Sequence, residues 1–175
     1  MELQFLLDDY ENRQKQYDEV MAMVARLLEE IPEAARLMQI RGVGAVTAAG
    51  FLAEAGDVRR FQSPRQIQKL AGLAIRENSS GKHKGQTAIS RRGRARLRTI
   101  LFCASIALAA KNPEFKAIHH YYTTRDRNPL KKKQSIVALS CKLIRVFYAI
   151  LTKGVAYDPE KLLGDIKRQP SIAAA

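Results

Sequence analysis

Apolar residues open the chain with a seven-residue recurrence: Leu3, Tyr10, Tyr17, Val24 and Ile31. Leu6, Val20 and Leu27 fill the intermediate row, which Arg13 interrupts. Residues 2–31 contain neither Gly nor Pro, so the pattern predicts one helix that Pro32 ends. At 1.5 Å per residue it would be a rod of roughly 45 Å. Four heptads with one polar break predict a coiled-coil arm. A short helix over Glu33–Met38 follows, then a turn at Ile40-Arg41-Gly42-Val43-Gly44 and a helix of small apolar residues from Ala45 to Ala55.

Ser63 before Pro64 has the form of an N-cap and first helical residue, and that helix should run to Ala71. Residues 76–90 mix Asn78, Ser79, Ser80, Gly81 and Gly85 with charges and read as a loop. Leu97, Ile100, Leu101, Ala104 and Leu108 then keep helical spacing, in a helix expected to begin near Arg91. Pro113 opens another, to about Tyr122. Lys131 to Thr152 is the last strong helix, with Ile136, Leu139, Leu143, Val146, Phe147 and Ile150 on one face. After Tyr157 the chain turns polar and is expected to fray. No useful strand-period alternation and no internal repeat interrupts this series, so the expected fold is all-α.

Charge changes the picture from a helical domain to a polyanion-binding one. The net charge is +13, and it is segregated. Residues 1–60 carry 7 Lys/Arg and 11 Asp/Glu, whereas residues 61–175 carry 23 and 6. Charges interspersed for solubility rarely separate this way, and a nucleic-acid partner is the reading that fits. The longest apolar run, Ile100 to Ala110, is far shorter than the roughly 18 residues of a membrane span. The first residues are acidic rather than a basic leader. A soluble protein of the bacterial cytoplasm, with no membrane partner, is expected. Cys103 and Cys141 lack metal-ligand spacing and read as buried thiols.

Three features carry candidate chemistry. Arg41, Gly42 and Gly44 lie between two short helices, as in a helix-hairpin-helix. Glycines there let the backbone approach a phosphate, toward which the N–H groups of the second helix would point. Arg76 to Arg98 holds eight basic residues and one acid, Glu77. On a helix from Arg91, residues Arg91, Arg94 and Arg98 would share a face and offer guanidinium forks to phosphate. Arg92, Lys82 and Lys84 join the same group. Within it, Asn78-Ser79-Ser80-Gly81 reads as a turn with no legible Ser-His-Asp set, and His83 is uncommitted. What surrounds the serines is positive charge, which suits attack on a phosphodiester. His119-His120-Tyr121-Tyr122 reads better as core and interface than as a tyrosine nucleophile with its base. Lys131-Lys132-Lys133 could touch phosphate or be solvated.

Several short runs in order make a more specific case: Ile40-Arg41-Gly42-Val43-Gly44, Phe61, Gly72-Leu73, Ser80-Gly81, Gly85, Ile89-Ser90-Arg91-Arg92-Gly93, Leu97-Arg98, Lys142-Leu143-Ile144 and Tyr148. Over residues 37–158 they resemble the C-terminal domain of the IS-one-ten insertion-sequence transposases. That resemblance implies a recombinase in which this domain supplies a serine that becomes joined to DNA. A separate RuvC-like domain would hold magnesium through carboxylates, and a structured guide RNA would pair with donor and target DNA. It also implies a helical arm for assembly into a homo-oligomer. Ser80 is the serine that carries over, with Ser79 its neighbour. Ile75 and Arg94 depart from the pattern, standing where proline and asparagine are common; Arg94 leaves the role of that helix start open.

The expected organisation is therefore an arm over 1–31, a transposase C-terminal domain containing the hairpin over 32–158, and a tail over 159–175. After residue 60 only Glu77, Glu114, Asp126, Asp158, Glu160 and Asp165 are acidic, with no pair at convincing ligand spacing. No metal site or cofactor is expected in this chain, which reads as a fragment inactive by itself. A non-catalytic helix-hairpin-helix module binding DNA or RNA is the second reading.

Overall fold

The computed structural model describes residues 2–76, 79–80, 83–84 and 88–167; for 79, 80, 83, 84, 165 and 167 it describes the backbone alone. The described residues are mainly helical: α1 (Glu2–Glu29), α2 (Pro32–Met38), α3 (Ala45–Ala55), α4 (Pro64–Leu70), α5 (Ala95–Lys111), α6 (Pro113–Thr124), α7 (Lys132–Lys153) and α8 (Pro159–Lys167). A 3-10 turn occupies Val58–Arg60. The all-α expectation holds, with one small exception between α4 and α5.

The exception falls where a plain loop was expected. Strands β1 (Ile75–Arg76) and β4 (Ala88–Ile89) pair antiparallel, and in sequence they bracket a second antiparallel pair, β2 (Ser79–Ser80) with β3 (His83–Lys84). Each strand is two residues long, too short for any alternation to register.

Helix α7 is the centre of the domain. Ile136, Leu139, Leu143, Ile144, Phe147, Ile150 and Leu151 are buried against α2, α4, α5 and α6. Its length and composition alone would suit a membrane span, but this packing makes it the core helix. Phe147 meets Phe51 of α3 edge-on, ring centroids 4.9 Å apart. Where polar groups enter this core they pair: Ser105 Oγ and Ser140 Oγ lie 3.0 Å apart, and Ser105 donates to the Leu101 carbonyl.

Helix ends follow local chemistry. Asn112 caps α6, its Oδ1 accepting from the Phe115 N–H, with Pro113 in the first helical position. Gly154 ends α7 in the left-handed region (φ 63°), and its carbonyl accepts from Arg36 Nη1 at 2.7 Å. Ser63 occupies the N-cap position of α4 as its sequence suggests, yet its side chain makes no capping hydrogen bond.

The long arm is present as α1, ending at Glu29. Only its last turns touch the domain, through Met21, Val24 and Leu28. Leu3, Leu6, Tyr10, Tyr17, Val20 and Leu27 stay exposed, leaving most of the heptad row uncovered. Arg13, the break in the seam, pairs within its own helix to Asp9 at 2.8 Å.

Three local expectations are corrected. The helix expected from Arg91 begins at Ala95, because Arg91 (φ 53°) and Gly93 (φ 144°) are both outside helical geometry. The expected tail is helical over α8, and Leu162 is buried against the core. Asp158 accepts from the Glu160 and Lys161 N–H groups at its start. Hydrogen bonding from Lys161 holds that carboxyl below its ordinary range. Tyr157 ties the same segment to α6 through Glu114 at 3.3 Å; burial, reinforced by that carboxylate, pushes its phenol well up. Finally, Cys103 is exposed rather than buried, while Cys141 is half-buried and its thiol is raised, first by burial, against the lowering effect of Arg145.

Candidate nucleic-acid interface

The segment carrying Ser80 leaves the helical domain after α4 and returns to it before α5. Its two ends are laid together at the domain surface. Ser90 N–H donates to the Ala74 carbonyl at 2.8 Å, Arg91 N–H to Gly72 at 3.0 Å and Arg94 N–H to Leu70 at 2.7 Å. The crossing is so close that only glycine fits at two points. A Cβ on Gly93 would lie 2.3 Å from the Leu70 carbonyl oxygen; one on Gly72 (φ 69°) would lie 2.8 Å from Arg98 Nη1.

The arginines at this root divide into two kinds. Arg91 and Arg92 are exposed and precede the helix. Arg94 and Arg98 are engaged by the fold: Arg94 Nη1 donates to the Glu54 carbonyl at 2.6 Å, with the Glu54 carboxylate 3.7 Å away. Arg98 Nη1 donates to Ala71 at 3.0 Å and to Arg91 at 3.4 Å. The shared helical face expected of Arg91, Arg94 and Arg98 does not form, since α5 contains only the last of them.

Ser80 lies in β2 with His83 as its cross-strand partner, and Lys84 lies opposite Ser79. The side chains of Ser80 and Lys84, and Gly81, Lys82 and Gly85 entirely, fall outside the described residues.

The glycine hairpin stands at the other end of the same helix pair. Gly42 faces Leu108 of α5, Gly50 faces Ile100, and Glu54 meets Arg94, so α3 and α5 run antiparallel. The α3 length puts about 16 Å between the hairpin and the root. Gly42 has a positive φ of 99° and packs 3.2 Å from Leu108 through its missing Cβ position, so the fold requires it. Gly44 differs. Its φ is −101°, a Cβ there would meet nothing within 4 Å, and no side chain caps α3. Arg41 is exposed, and its carbonyl accepts from Asn112 Nδ2 at 3.1 Å.

Sequence reasoning missed Asn112, which caps α6 and holds the hairpin at once; the Asn-Pro pair at 112–113 was the available signal. It also missed Glu54, for which no local signal exists. Among the remaining candidates, His119 Nδ1 lies 2.8 Å from the buried Ser135 hydroxyl, and Ile118 beside it is core. Tyr122 packs partly buried against the core, whereas His120 is exposed, so only part of that aromatic run packs on the domain. Lys131, Lys132 and Lys133 are exposed at the start of α7.

A divalent-metal centre for phosphoryl transfer needs converging carboxylates. Among the described residues no group of three His, Cys, Asp or Glu comes together. Glu33 and Glu54 instead face arginines. The described part of this chain does not fit such a centre.

Comparison with known proteins defines the class as a transposase domain. Over 143 residues, 81% of its length, the chain is 32% identical to the transposase for insertion sequence element IS1111A of Coxiella burnetii. It is 31% identical over 127 residues, 71% of its length, to the pilin gene-inverting protein of Moraxella bovis. A 43.6 kDa protein of insertion element IS110 from Streptomyces coelicolor is 29% identical over 137 residues, 78% of the chain. Residues 34–120 match the model of the Transposase IS116/IS110/IS902 family, and the chain belongs to that family. It spans 38% of the Coxiella and Moraxella proteins and 33% of the Streptomyces protein.

Proposed function

We propose that this chain is the DNA-handling part of an insertion-sequence recombinase and that Ser80 is its nucleophile. The observation that carries the reading is the family match over 34–120, which takes in both the Ser80 segment and its arginine root. The names of the Coxiella and Moraxella relatives, one a transposase and one a gene-inverting protein, point to DNA rearrangement. In the proposed step Ser80 Oγ attacks a phosphodiester phosphorus. The serine proton leaves to a base, a P–O bond to one deoxyribose breaks, and the departing sugar oxygen takes up a proton to leave as a free hydroxyl. The resulting serine phosphodiester conserves the bond, so a second DNA hydroxyl can displace serine without an energy source. Arg91, Arg92, Lys82 and Lys84 supply positive charge for the phosphoryl oxygens.

The hairpin anchors the duplex at a distance, through Arg41, the backbone at Gly42 and Gly44, and the free N–H groups opening α3. Gly44 supports this: the fold leaves it open space, whereas close approach by a phosphate would use the missing side chain. Magnesium, held by a RuvC-like domain outside this segment, and a structured guide RNA complete the proposed assembly, in the bacterial cytoplasm. The 175-residue chain alone is then inactive. A non-catalytic hairpin module is the second reading, favoured by the separation of hairpin and root.

The test is covalent trapping. The complete transposase, incubated with end-labelled donor DNA and denatured, should retain DNA on protein. Ser80→Ala should lose the adduct with DNA affinity nearly unchanged, since one hydroxyl is removed. An adduct that survives in Ser80→Ala would overturn the assignment and leave the hairpin module as the better reading.

The exposed stripe on α1 is proposed to pair with the same stripe of a second copy. Its heptad spacing is that of a helix seam, and the domain covers that seam only near its end, around Met21, Val24 and Leu28. Light scattering should show the chain as a dimer or larger, and Leu6→Glu with Val20→Glu should give a monomer with an intact domain. A strict monomer at high concentration in the unaltered chain would defeat the proposal.

A further inference from the structure

We infer that Arg98 is a positioning residue that staples the root of the Ser80 segment, rather than a ligand for phosphate. The inference deepens the proposed function and rests on it for its catalytic meaning. Arg98 lies one turn into α5, half-buried, and its Nη1 sits at the crossing of the two chain passages. One acceptor, the Ala71 carbonyl, belongs to the passage leaving α4; the other, the Arg91 carbonyl, belongs to the passage returning to α5. The absent side chain of Gly72 makes room for that nitrogen, which would stand 2.8 Å from a Cβ there. Around it run the backbone bonds Ser90 to Ala74, Arg91 to Gly72 and Arg94 to Leu70.

The staple acts where the backbone is least favourable. Arg91 is a non-glycine residue at φ 53°, a conformation that side-chain-bearing residues seldom adopt and that surrounding bonds must maintain. A guanidinium donating to the Arg91 carbonyl holds that peptide in place. The charge is thereby spent on carbonyl oxygens, while Arg91 and Arg92 point the remaining cations of the root into solvent. Lysine is a poor substitute, because it lacks the planar fork and keeps a tightly hydrated ammonium.

Amide exchange in the 175-residue chain reads this directly. Arg98→Gln and Arg98→Lys should both speed exchange at Ser90, Arg91 and Arg94, by roughly tenfold to a hundredfold, as expected for losing a charged hydrogen bond. Amides of α7 should keep their protection. A phosphate ligand would behave otherwise: Arg98→Gln would lower the slope of log affinity against log salt by about one, and lysine would restore it. Arg92→Gln, the comparison variant, should lower that slope and leave exchange alone. In the complete transposase, Arg98→Lys should slow adduct formation while DNA affinity holds. Unchanged exchange at the root in both Arg98 variants, or a loss of slope that lysine rescues, would overturn the inference. Failure of Ser80 as nucleophile would show only in the adduct and would leave the exchange result standing.

Discussion

Gly93→Ala is expected to destabilise the chain by about 3–7 kcal/mol, the sum of three separate effects. At φ 144° a side chain is strained by about 1–3 kcal/mol whatever surrounds it. The added Cβ would also stand 2.3 Å from the Leu70 carbonyl oxygen, a backbone atom that cannot rotate aside. Relieving that overlap separates the two passages, at a further cost of about 1–3 kcal/mol. The Arg94 N–H bond to Leu70, now 2.7 Å, lengthens or breaks, adding roughly 1 kcal/mol. Thermal unfolding should show a midpoint lowered by roughly 15 °C, since each kcal/mol moves a domain of this size by roughly 2–4 °C. Gly44→Ala provides the contrast. It meets no atom and has an ordinary φ, so it should cost about 1 kcal/mol or less, through N-cap preference alone. Equal midpoints for the two variants would show that the root is not closed as described.

That contrast also explains what was legible in the residues. The arm, the two short helices around the hairpin and the central helix were readable, because each carries a long apolar period or a Pro or Gly boundary. The start of α5 was not. Arginine is a good helix former, and nothing local in Ser90-Arg91-Arg92-Gly93 distinguishes a first helical turn from a passage pinned to residues twenty positions earlier. The decisive facts, the Leu70 oxygen against Gly93 and the Ala71 oxygen against Arg98, are tertiary. The strands beside Ser80 escaped because two residues define no period. Helix α8 is a different case: Asp158-Pro159-Glu160 is a legible start signal, outweighed by the polar composition that follows. Arginine counting located the basic segment correctly but could not divide it, since Arg92 and Arg98 differ only in what the fold places beside them.

Affinity for duplex DNA should fall about 500-fold when salt rises fourfold, from about 50 to 200 mM. The figure follows from about five phosphate contacts, the number offered if Arg41, Lys82, Lys84, Arg91 and Arg92 all engage. Each contact releases close to one condensed counterion, so log affinity falls with log salt at a slope near −4.5. Arg91→Ala and Arg92→Ala should each bring the slope about one unit nearer zero, uniformly across DNA sequences, because phosphate contacts position a duplex without reading it. Arg41→Ala should do the same from the far end of α3, and a footprint should place that contact about five base pairs from those of the root, given about 16 Å of helix and 3.4 Å per base pair. Fluorescence anisotropy over a salt series measures all of these. A slope near zero would mean that the segregated charge, 23 Lys/Arg against 6 Asp/Glu after residue 60, serves something other than a nucleic-acid backbone. A slope near −4.5 that Arg41→Ala leaves unmoved would keep the root as the DNA contact and remove the hairpin from it.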